Sequence, residues 1–137
     1  MYRAVLTSNR GVAEAIRSMK PLKGECRNTV LFVLGKGPML ASLKRVSKEE
    51  IPEGRVIFHG PVDYREVPRH ISGCDIGIVP LPDLSDWRYQ CLLNLLECLA
   101  MAKVVVATGI WLTELWWVEA SASFMQPRQM LIESQKQ

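Results

Sequence analysis

The sequence predicts an α/β protein: a doubly wound, mostly parallel sheet of Rossmann-like type, open and covered by helices in three α/β/α layers. Three observations predict it. Five short runs rich in β-branched residues are apolar on both faces, as buried parallel strands are. The segments between them carry apolar residues at helical spacing. Gly, Pro, Asn or Asp bounds each run, as expected where strands and helices exchange.

The first strand is expected at Ala4-Val5-Leu6, followed by a helix with Val12, Ile16 and Met19 on one face. Thr29 to Leu34 is the second strand, and Met39, Leu40, Leu43 and Val46 mark the helix after it. Val56-Ile57-Phe58 and Ile76-Gly77-Ile78-Val79 are the third and fourth strands. Leu92, Leu95, Leu96 and Leu99 then lie on one helix, and Val104-Val105-Val106 is the last strand. Right-handed crossovers are expected throughout, and ligands on such sheets sit at the carboxyl ends of the strands.

The chain has 137 residues, enough for one domain. Its 48% hydrophobic and 23% charged residues exclude disorder and low-complexity architectures. A net charge of +3, evenly spread, gives no electrostatic case for nucleic-acid binding. The longest uncharged stretch, Val104 to Thr113, is ten residues and too short for a membrane span. Met1-Tyr2-Arg3 opens no signal peptide, so a cytoplasmic location is expected. Cys26, Cys74, Cys91, Cys98, His59 and His70 show no ligand-pair spacing, and no metal is expected. Cys91 and Cys98 fit one helix face as small hydrophobes.

Three segments carry recognisable chemistry. Gly35-Lys36-Gly37-Pro38 follows the second strand at once, either as a tight turn or as a loop whose glycines let backbone approach a ligand. It matches neither the phosphate-loop motif nor the dinucleotide fingerprint, whose third glycine is Leu40 here. Asn9-Arg10-Gly11 places a guanidinium before a helix, where it either grips a phosphate or is simply solvated. Glu97 is the one acid in the apolar run Cys91 to Val106, so its carboxylate needs a partner, a ligand hydroxyl or an exit to solvent.

Taken in order, these pieces resemble the C-terminal, nucleotide-sugar-binding half of the retaining GT-B glycosyltransferases of family four, often called group 1. The resemblance covers residues 2–110. It rests on Leu6-Thr7-Ser8-Asn9-Arg10-Gly11, on Leu31 to Pro38, on Val56 to Val62, on Cys74 to Pro80, and on Leu95-Leu96-Glu97-Cys98-Leu99-Ala100-Met101-Ala102-Lys103-Val104-Val105-Val106-Ala107-Thr108. It implies that Arg10 grips the donor diphosphate together with the helix amides of Cys91, Leu92 and Leu93. Glu97, as the second glutamate of the family's E-x7-E motif, would bind the ribose hydroxyls. The loops at Gly35, Gly37, Gly60 and Val62 would approach the nucleotide through their backbone. No residue is assigned a catalytic role, and no cofactor is implied beyond the nucleotide diphosphate sugar itself.

The chain also departs from the pattern. Tyr89 replaces the first glutamate, Val5 a second phosphate-binding Arg, Leu92 and Asn94 a Pro and a Lys. Ala102 and Val104 stand where Gly and Pro make the turn into the next strand. The resemblance implies that an N-terminal acceptor domain is missing and that this chain alone does not turn over substrate. The resemblance also allows a membrane-peripheral location for full-length relatives.

Residues 111–137 lose the resemblance. Read from the third base of each codon, Trp116-Trp117-Val118 gives Val-Gly, as in the family's continuation, so an out-of-frame tail is expected there. A sheet left partly bare would then promote self-association, with a last strand making fewer contacts than the others. Two further readings remain open, a non-catalytic nucleotide-binding or regulatory α/β module and a decayed fragment without activity.

Overall fold

A computed structural model describes residues 1–22, 24–87 and 92–109, together with the backbone of 130–133. Its elements run β1 (Tyr2–Arg3), α1 (Val12–Arg17), β2 (Leu31–Leu34), α2 (Leu40–Glu50), β3 (Val56–Gly60), α3 (Val67–Ser72), β4 (Ile76–Val79), α4 (Leu93–Ala100), β5 (Val104–Thr108) and β6 (Met130–Glu133). All pairings among the described residues are parallel. β1, β2 and β3 form one ladder, and β4, β5 and β6 another.

Met1 joins the two ladders. Its amine donates to the Ile76 carbonyl at 2.5 Å, and its carbonyl accepts from the Ile78 N–H at 2.8 Å. The spatial order is therefore β3-β2-β1-β4-β5-β6, with the direction of winding reversing at β1 and β4. A crevice opens at such a switch point, outside the carboxyl ends of the strands.

Each face has its own core. Tyr2, Leu31 and Val33 pack with Val12, Ala15 and Ile16 of α1 and Leu43 of α2. On the opposite face Val79, Val105 and Ala107 pack with Val67 and Ile71 of α3 and with Leu95 and Cys98 of α4. Gly77 permits the second packing, because a Cβ there would lie 2.7 Å from Cys98 Sγ. Burial raises the pKa of that thiol and keeps it a hydrophobe.

Two expectations are corrected. The first strand pairs at Tyr2 and Arg3, ahead of Ala4-Val5-Leu6, because the chain is already leaving the sheet there: Leu6 N–H donates to the Lys36 carbonyl of the next loop at 2.9 Å. β5 is not sparsely held either. It is paired along its length with β4 on one side and β6 on the other, and Val105 is fully buried. The outer face of β4 and β5 is the more open one, with Ile76 exposed and Ile78, Val104 and Val106 half-buried. Apart from the backbone of 130–133, the tail and its tryptophans lie outside the described residues.

Among the described residues no helix is long and apolar enough to cross a membrane.

Candidate functional site

The loop after β1 is positioned by Gly11. Its φ of +65° is left-handed, and a Cβ would collide with the Pro80 carbonyl beyond β4, so only glycine lets the two loops meet. Arg10, the preceding residue, is thereby set over the indole of Trp87, its guanidinium carbon 4.6 Å from the ring centroid. Trp87 is buried and donates its Nε1–H to the Asn9 carbonyl at 2.7 Å. The cation is thus stacked on a fixed platform.

Gly35 and Gly37 serve the fold before they serve a ligand. A Cβ at Gly35 would collide with the Ala4 carbonyl, and one at Gly37 with the backbone of Leu6. These glycines let the loop after β2 lie against the chain leaving β1, where Met39 N–H also donates to the Leu6 carbonyl at 3.1 Å. The loop after β3 joins them through Gly35 N–H, which donates to the Gly60 carbonyl at 3.0 Å. Asp63 then starts the approach to α3 with a capping box, accepting from Arg65 N–H while Glu66 accepts from Asp63 N–H.

These loops enclose a cleft of about 400 Å³ lined by Arg3, Arg10, Gly35, Lys36, Pro61, Val62, Trp87, Leu92, Leu93 and Asn94, among others. Of the residues expected at the site, it unites Arg10, Gly35, Val62, Leu92 and Leu93. Gly37, Gly60 and Glu97 lie outside its lining, and Cys91 and Tyr89 lie outside the described residues. Leu92 caps α4 without a side-chain hydrogen bond, and the first turn contains no acid. Leu95 N–H already donates to the Leu92 carbonyl at 2.9 Å, whereas the N–H groups of Leu93 and Asn94 have no intrahelical acceptor and favour an anion.

Glu97 takes a partner from far along the chain. Arg3 Nη1 donates to both of its carboxylate oxygens, at 2.9 and 2.7 Å. Sequence reading assigned no site role to Arg3 or Trp87, and it marked Lys36 only as part of the Gly35–Pro38 loop and Asn94 only as a departure from the family pattern. For Arg3 a signal existed: a lone cation at the head of an apolar strand needs a counter-charge, and so does a lone acid in an apolar helix.

A larger groove of about 1430 Å³ runs past Met1, Met19, Leu31, Ile76, Ile78 and Val106. It follows the open, mainly apolar side of the sheet and has no comparable convergence of cations with a helix N-terminus. The smaller cleft at the strand ends is the candidate site. Among the described residues no group of three or more His, Cys, Asp and Glu side chains could hold a metal.

The profile of one family, "Glycosyl transferases group 1", matches residues 1–120. The chain belongs to the group 1 glycosyltransferases. The fold agrees with a solved structure, the catalytic domain of cholesterol-α-glucosyltransferase from Helicobacter pylori, at a TM-score of 0.70 and 15% identity. That likeness covers 96% of this chain and 75% of the other, and it establishes the shared Rossmann-like α/β architecture. No curated protein sequence matches this group 1 chain.

Proposed function

We propose that this chain is the donor-binding half of a retaining glycosyltransferase of hexosyltransferase type, taking a nucleotide diphosphate sugar in the cleft at the ends of β1 and β2. One observation carries the reading: in a group 1 chain, Arg10, Lys36 and the first turn of α4 line one cleft at the switch point of the sheet. When a glycosyl group departs from such a donor, negative charge builds on the diphosphate. Preorganised cations and backbone amides lower that barrier without reorganising.

In this reading Arg10 supplies a guanidinium already stacked on Trp87, so little side-chain freedom is lost on binding. Glu97, held by Arg3 just behind the cleft lining, retains lone pairs that ribose hydroxyls would reach past Arg3. The acceptor and the second wall of the cleft belong to a further domain, and the chain alone binds the donor without turning it over.

The test is calorimetric titration with nucleoside diphosphates and with the parent nucleosides. Arg10→Ala should weaken diphosphate binding about tenfold or more and leave the nucleoside nearly unchanged, since a bond to a charged group contributes about 1.5–3 kcal/mol. Equal losses for both ligands, or no diphosphate binding by the unaltered chain, would refute the assignment.

A further inference from the structure

Arg3 and Glu97 differ in which of them meets the cleft. Arg3 lines it, whereas Glu97 does not, and no Asp or Glu is among its described lining residues. The Arg3 side chain is 26% exposed and that of Glu97 12%. The cation is therefore the forward member of the pair and the carboxylate the one behind it.

The guanidinium is also only partly used. Both bonds to Glu97 run through Nη1, and among the described residues no acceptor is bonded to Nε or Nη2. The Tyr64 ring lies 5.7 Å from the guanidinium carbon, an aromatic wall beside it that accepts no conventional hydrogen bond. A guanidinium offers five N–H donors in a rigid fork, and among the described residues the donors of Nε and Nη2 face no protein acceptor.

We propose that Arg3 is a third phosphate-gripping residue of the cleft, beside Arg10 and Lys36, and that Glu97 is its built-in counter-ion. This rests on the cleft being the donor site. The free donors of Arg3 take a phosphate oxygen of the nucleoside diphosphate. Glu97 neutralises the guanidinium while the cleft is empty and weakens its pull on an anion when the cleft is filled. The pair thus sets how strongly the cleft holds phosphate, and Glu97 opposes the phosphate contact even where it helps the ribose.

Inorganic pyrophosphate separates these effects because it has no ribose. In titrations of the full chain, Glu97→Gln should bind pyrophosphate several-fold more tightly, as the opposing charge is gone. Arg3→Gln should bind it about tenfold or more weakly. The double variant Arg3→Gln/Glu97→Gln leaves no unpaired charge, and circular dichroism verifies its fold; it should match Arg3→Gln. A merely structural ion pair would lower the melting temperature in the single variants and leave pyrophosphate affinity unmoved, which overturns the proposal. So does a Glu97→Gln chain that binds pyrophosphate no better than the unaltered one. If Arg10→Ala loses pyrophosphate while the double variant keeps it, the donor site stands and the role of Arg3 falls. If the unaltered chain binds no pyrophosphate, both readings fall.

Discussion

α4 ends with Ala102 in a conformation that suits glycine. Ala102 N–H donates to the Leu99 carbonyl at 2.9 Å and Lys103 N–H to the Cys98 carbonyl at 3.0 Å, the paired bonds of a Schellman cap, and Ala102 has φ +53°. A Cβ in the left-handed region costs about 1–2 kcal/mol. Replacement by glycine relieves that cost but gives the unfolded chain more freedom, returning about 0.4–1 kcal/mol. The Ala102 methyl is exposed and contributes little by burial. Ala102→Gly should therefore stabilise the chain by about 0.5–1 kcal/mol, a rise in Tm of roughly 2–6 °C for a domain of this size. Ala102→Val, β-branched, should lower Tm instead. Thermal and urea unfolding of the three chains provide the measurement. An unchanged or lower Tm for Ala102→Gly would refute the argument from strain.

Two other perturbations have defined outcomes. The Tyr2 hydroxyl is buried with no hydrogen-bond partner among the described residues, and its pKa is raised to about 12, chiefly by burial and against an opposing effect of Arg10. The unfolded chain loses this proton near pH 10 and the fold holds it to about 12. Stability should be unaffected by Tyr2 below pH 10 and fall by about 2–3 kcal/mol as pH rises to 12. Tyr2→Phe should remove that part of the decline in urea titrations, with no loss at neutral pH. Arg55 donates to the Leu22 carbonyl at 2.8 Å, those of Thr29 and Cys26 at 3.2 Å and that of Met19 at 3.4 Å, gathering the segment that leads into β2. Arg55→Met should cost about 1–2 kcal/mol, given its partial exposure, and speed hydrogen exchange between Met19 and Thr29 ahead of the rest.

The strands were legible because burial on both faces leaves a run of Val, Ile and Leu that few other environments produce; β4 spans Ile76–Val79 as read. β1 was read late because composition cannot separate a strand from the apolar chain leaving it, and here hydrogen bonds to the next loop decide the matter. Arg10 was legible through its local Arg-Gly context. Trp87, which holds it, was not, since only the packing of the β4 loop brings the two together. Glu97 announced a need without naming what met it: Arg3 lies ninety-four residues away, and no local pattern reports a pairing across the chain. The two loop glycines were found for an incomplete reason, because their nearest neighbours are the chain's own carbonyls.

The two bonds of Met1 have a mechanical consequence. Among the described residues they are the backbone seam between the two three-stranded ladders, and so short a junction is the natural line along which such a sheet parts in sub-global opening. The cleft crosses that line: Arg3, Arg10 and Lys36 come from one half, and Trp87, Leu92 and Leu93 from the other. A bound anion would add a cross-brace on that line, beside the Arg3–Glu97 ion pair and the Trp87–Asn9 bond that already span it.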